Sequence, residues 1–142
     1  MRMDKLTHSL QAALGEAQSL AIGRDHPFIE PLHLLKAMMD PAGSGTRALL
    51  LAAGATVEPL QASVDNALGA MATVSGNEDV HVSQETQRLL NRADKLSQQA
   101  GDTYLSTDAI LLAMPESKST ASLLSEAGVT APTLGKAVES AR

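Results

Sequence analysis

The chain has no cysteine, no tryptophan, one phenylalanine and one tyrosine in 142 residues. Without cysteine there is no disulfide framework and no thiolate nucleophile, and a zinc site would need histidine and carboxylates alone. The absence fits a reducing compartment. An aromatic content of 1% removes the stacking platforms on which single-stranded nucleic acids and many sugars are held. Basic residues are too few for a phosphate-neutralising surface: the formal charge is −5 and the isoelectric point about 5.2, so nucleic acid is not an expected partner. Long apolar runs are missing as well. Even the longest, such as Ala48 to Ala53, are far too short to cross a bilayer, and Asp4 and Lys5 stand where a secretory signal needs its apolar stretch. No membrane partner and a cytoplasmic location are therefore expected. What is present is ordinary globular usage, 44% hydrophobic and 19% charged, in a length that suits one compact domain over residues 1–142.

Shifted against itself by about 76 residues, the sequence pairs Leu14 with Leu90, Ala17 with Ala93, Leu20 with Leu96, Leu35 with Leu111 and Met38 with Met114. The only two aromatics also pair, Phe28 with Tyr104. Beyond a shift of register, an offset of about 74 pairs Leu49-Leu50 with Leu123-Leu124, Ala53-Gly54 with Ala127-Gly128, Thr56 with Thr130 and Val64 with Val138. This is an internal duplication. Helix punctuation repeats with it: Thr7 and Ser83 can cap first helices, and second helices start after Glu30-Pro31 and Ser106-Thr107. Third helices stop at Gly54 and Gly128, and Thr56 and Thr130 cap fourth helices whose first turns tolerate Pro59 and Pro132. Leu6, Leu10, Leu14, Ala17 and Ala21 recur at helical spacing over roughly 7 to 22, as do Leu89, Leu90, Ala93, Leu96 and Ala100 over roughly 83 to 100. No stretch alternates like a strand. The expected fold is all-α, a tandem duplication of a four-helix repeat with about eight helices. Repeat one covers about 5–70, a polar linker about 71–82, and repeat two about 83–142. Helices this short need neighbours, so the two units are expected to pack into one body.

Catalytic patterns are weak. Gly43-Ser44-Gly45 lacks the lysine of a phosphate loop and is not a nucleophile elbow, which leaves a flexible turn. Glu30 and His33 have the Glu-x-x-His spacing of a di-iron bundle, but their counterparts read Ser106 and Ala109, so no second ligand pair exists. His33 is then expected to be half-buried at a helix start, and His8, His26 and His81 to lie on the surface. Asp102 and Asp108 form the densest carboxylate pair, with helix-terminus chemistry as their simplest role. Met38 and Met39 read first as core.

Met1-Arg2-Met3-Asp4-Lys5-Leu6-Thr7, Ala17-Gln18-Ser19-Leu20-Ala21 and Phe28-Ile29-Glu30-Pro31-Leu32-His33-Leu34, followed by Asp94-Lys95-Leu96, Gly101-Asp102 and Ala127-Gly128, resemble the N-terminal domains of the ClpB (Hsp100) disaggregase family over essentially the whole chain. The segment at Phe28 to Leu35 differs from the related ClpA and ClpC N-domains. The resemblance implies a double four-helix repeat of the Clp N-domain type, attached in a homohexameric parent to two AAA+ ATPase rings. ATP and magnesium belong to those rings, so no cofactor and no metal are expected in this domain. It also implies a non-enzymatic, monomeric domain that recruits unfolded or aggregated polypeptides through an apolar groove, in a parent that cooperates with the Hsp70 system. Carried over residue by residue, the substrate-binding positions are Thr7, Leu90, Leu96, Asp102 and Asp108, the last shorter than the usual Glu. Arg92 and Ala109 stand where relatives have bulkier apolar residues, which bears on groove depth. Two other roles stay open: docking of one folded adaptor, as in protease-associated Clp unfoldases, or a spacer that gates the ring and binds nothing.

Overall fold

A computed structural model describes residues 3–41, 45–76 and 79–142. Gly43 and Ser44 of the expected turn, and two residues of the expected linker, lie outside them. Helix α1 (His8–Gly23) is followed by β1 (Phe28–Ile29), α2 (Pro31–Met39), α3 (Gly45–Ala52) and α4 (Val57–Gly69). Then come β2 (His81–Val82), α5 (Gln84–Gln99), α6 (Thr107–Ala113), α7 (Lys118–Glu126) and α8 (Ala131–Ala141), so the eight helices fall into two sets of four.

Starts and stops follow the local chemistry. The hydroxyls of Thr7, Ser83, Ser106 and Thr130 accept the amide three residues on, each satisfying a donor left over by the first turn. Thr56 departs from its counterpart, because its side chain makes no capping bond. Thr130→Ala should therefore cost about 1 kcal/mol, whereas Thr56→Ala should cost only about a few tenths, as read from urea midpoints. The first and third helices of both repeats close alike. The second residue beyond the last turn donates to the carbonyl five back, as His26 does to Ala21 and Asp102 to Ser97 at 2.9 and 3.0 Å. The residue between must be left-handed, which Gly101 (φ 76°), Gly54 (φ 94°) and Gly128 (φ 90°) allow freely. The α1 end uses Asp25 instead, at φ 57°, a conformation that aspartate tolerates better than most residues.

The second helices are the centre of the molecule. Pro31 to Leu35 are all buried, as are Ala37, Met38 and Met39, and α6 buries Ala109, Ile110, Leu111 and Ala113. A helix apolar on every side is covered on every side. α1 lies against α2 and α5 against α6, within their repeats. The third helices cross over: α3 packs on α8 and α6, while α7 packs on α4 and α2. Leu34, Leu35, Leu50 and Leu60 thus join Ile110, Leu111, Leu124 and Leu134 in one continuous core.

Backbone pairing crosses over in the same way. β1 runs parallel to β2, with Ile29 opposite Val82, and Leu105 pairs in parallel with Leu6. The duplication maps one pair onto the other. Ser83 N–H donates to the Ile29 carbonyl at 3.1 Å, and its counterpart Thr7 donates to the Leu105 carbonyl at 2.9 Å. Each repeat's entry segment is therefore held by the other repeat. The sequence pattern does not announce these strands.

Candidate functional site

Sequence reasoning names Thr7, Leu90, Leu96, Asp102 and Asp108, and the fold distributes them over three places. Leu96 and Asp102 come together. They line a groove of about 180 Å³ where α5, α6 and α8 meet, with Ala109, Leu112 and Val138 as further apolar lining. Leu96 projects from α5 three residues after the buried Ala93, which leaves it half-buried against the core. Asp102 follows the left-handed Gly101 and so turns back over the groove, where its carboxylate receives both arms of Arg142 at 3.2 and 2.9 Å. Ala109 is 2% exposed, so the small side chain shapes the groove from below. Arg92 does not line it, and instead donates from Nε to Glu116 at 2.8 Å.

Leu90, 6% exposed, faces a different depression of about 460 Å³, bounded by Leu6, Leu14, Ile29 and Val80 near the cross-repeat strands. Thr7 and Asp108 line neither. Thr7 caps α1, accepting from the Leu10 amide at 3.2 Å, and its own amide forms the link to Leu105. Asp108 is half-buried in the first turn of α6, where the helix dipole favours a carboxylate. Leu112, Val138 and Arg142 are groove residues that motif reading misses. The duplicated Val64 and Val138 could have suggested one of them.

Two histidines need correction. His26 is not a surface residue but 2% exposed, and His33 is wholly buried, not half-buried. Glu30 N–H donates to His33 Nδ1 at 2.8 Å, which forces the His33 proton onto Nε2. That N–H donates to His26 Nδ1, also at 2.8 Å, so the remaining His26 N–H is the one bonded to the Leu68 backbone. Protonating either ring would set two donors face to face. Burial and the neighbouring His26 and Arg24 charges accordingly push His33 down to about 4, and burial with Arg24 lowers His26. His8 and His81 are exposed, as expected, and Met38 and Met39 belong to the core. Among the described residues no three His, Cys, Asp or Glu side chains are grouped to hold a metal ion, and no helix is long and apolar enough to cross a membrane.

Residues 5–127 match the family model of the Clp repeat (R) N-terminal domain. The chaperone protein ClpB of Pseudomonas putida is 40% identical over 144 residues, covering 100% of this chain and 17% of that protein, and ClpB of Vibrio cholerae gives the same figures. The chain thus spans 17% of the length of these curated relatives. Among solved structures, the Hsp104 N-terminal domain from Candida albicans has a TM-score of 0.84 at 24% identity, covering 94% of this chain and 88% of that one. A ClpV N-domain solved in complex with a VipB peptide has a TM-score of 0.74 at 28% identity, covering 92% and 82%.

Proposed function

Because the chain belongs to the Clp repeat N-terminal domain family, we propose that it recruits unfolded or aggregated polypeptides for a ClpB-type disaggregase. The observation that carries this reading is the groove of Leu96, Ala109, Leu112 and Val138 with Asp102 on its rim. A shallow apolar trough takes up exposed Leu, Val or aromatic side chains without reading a sequence. Asp102 adds a carboxylate to which a basic segment or a backbone amide is drawn, in exchange with Arg142. The volume holds little more than one side chain, so each site binds weakly. In a homohexameric cytoplasmic parent, several such sites raise effective concentration and pass the chain to the ATPase ring, in cooperation with the Hsp70 system. The domain itself needs no cofactor for this role, is monomeric and performs no catalysis. On this reading Thr7 and Asp108, at the starts of α1 and α6, and Leu90, in the second depression, add contacts to substrate outside the groove.

The test is a titration of isotope-labelled domain with two unrelated unfolded proteins. Both should shift the amides around Leu96, Asp102 and Val138. Leu96→Ser should weaken both by about tenfold or more, since a buried leucine side chain is worth ~1.5–3 kcal/mol. Asp102→Asn should leave the fold intact, because its pair with Arg142 is a partly exposed one. A response to only one of the substrates would favour selective docking of a single partner. No response to either would make the domain a spacer.

A further inference from the structure

Residues that the duplication places in register behave differently at the corner between the first helix of each repeat and the start of the third. In repeat two the corner is tied shut. Arg92 of α5 is bonded to Glu116 at 2.8 Å. Glu85, on the same helix, accepts from Ser117 Oγ at 2.6 Å and from the amide and hydroxyl of Ser119 at 3.0 and 2.7 Å. Leu89, 3% exposed, stands between these two residues in sequence and completes the buried face.

At the first offset the counterparts in repeat one are Glu16 and Asp40 for the ion pair, Ser9 and Pro41 for Glu85 and Ser117, and Ala13 for the leucine; at the second offset Gly45 stands for Ser119. None can reproduce the tie. Two carboxylates repel, Ser9 carries no charge, Pro41 and Gly45 offer no hydroxyl, and Ala13 is three carbons short. All six line a single open cleft of about 730 Å³ between α1 and the α2 and α3 ends. Asp40 is held by Lys36 at 3.2 Å and accepts from Gln61 at 2.7 Å, but Glu16 meets no cation among the described residues.

We propose that this cleft is a second docking site, selective for a polypeptide segment that presents an arginine or lysine beside a small apolar side chain. Arg92 shows what the corner accepts. It is a long cationic side chain on the first helix, bonded to the acidic residue just beyond the end of the second. In repeat one that cation is missing from the chain while the acidic residue remains and a second one, Glu16, takes the place of the arginine. An incoming guanidinium would stand between two carboxylates, bonding as charge-assisted pairs do. Ala12, Ala13 and Ala37 leave room for the stem and for an apolar neighbour. The site lies mainly on α1, α2 and α3, shares no lining residue with the Leu96 groove although Thr107 at the start of α6 borders it, and stands whether or not that groove binds substrate.

A blocked pentapeptide Leu-Ala-Arg-Ala-Leu, titrated into labelled full chain, should shift the amides of Ala12, Glu16, Ala37 and Thr46, with the shifts reduced at raised salt. The same peptide with glutamate for arginine should bind more than roughly tenfold more weakly, because like charges face each other. Glu16→Arg would restore an internal cation opposite Asp40 and should abolish the response, while any shifts at Leu96 and Asp102 persist. Glu16→Gln keeps the shape without the charge and should weaken binding by about tenfold. Equal binding of the two peptides, shifts confined to the Leu96 groove, or indifference to both Glu16 variants would overturn the proposal. So would the same shifts appearing on concentration of the domain alone, which would mark the cleft as a contact between copies.

Discussion

Divided between Ser75 and Gly76, the chain should give two fragments that do not fold apart and do fold together. α3 packs chiefly on α8 of the other repeat, and α7 packs across on α4 and α2. Removing either half strips the third helix of the other, and with it the cover over Leu50 or Leu124, both 0% exposed. It also leaves Ile29 and Leu105 without their strand partners. The helices run from 7 to 16 residues, lengths that are marginal or worse in isolation. Circular dichroism of either fragment should show little helix and no cooperative melting transition, and an equimolar mixture should recover both. A cooperative transition in residues 1–75 alone would mean that the crossing contacts are dispensable.

Acid should weaken the domain well before its carboxylates titrate. An unfolded histidine protonates near 6.5, whereas His33 in the fold does so only at about 4, and His26 is lowered as well. Between these values the unfolded state binds more protons. Stability is therefore fully present above about 6.5 and falls as the pH drops toward 4, with His33 alone contributing on the order of 3 kcal/mol. Glu85, held below its usual value by its three serine hydrogen bonds despite burial, adds a loss only below about 4.5. The histidine contribution is thus separable. Urea midpoints at pH 7, 6 and 5 should decline steadily, and His33→Gln, less stable at pH 7, should lose most of that slope. A midpoint unchanged from 7 to 5 would mean that the buried pair ionises without cost. The charged groups nearest the pair are Arg24, Asp25 and Glu30, and only the arginine opposes protonation of His26.

Much of the fold is legible in the chain because duplication shows the punctuation twice. Thr7 with Ser83 and Gly54 with Gly128 mark boundaries that hydrophobic periodicity alone leaves loose. The crossing of α3 and α7 is not legible, since periodicity shows that Leu49 and Leu50 need cover but not which helix supplies it. Two-residue strands carry no period to detect. His26 sits between Asp25 and Pro27 and looks like a loop residue, and its burial comes from a partner seven residues on. His33 offered a better signal, flanked as it is by Leu32, Leu34 and Leu35 on a helix without a polar side. For the candidate groove, family likeness brings Leu96 and Asp102 to one place. It says nothing of Arg142, which reaches Asp102 from 40 residues away.

The crossed arrangement also bears on how the domain emerges from the ribosome. α3 can find α8 only after nearly the whole chain has been made. At about 5–20 residues per second, the apolar side of α3 then waits roughly 5–20 s for its cover. During that interval Leu49 and Leu50 are displayed on an unfinished chain, so the nascent domain is itself the kind of exposed polypeptide that its finished form is proposed to capture.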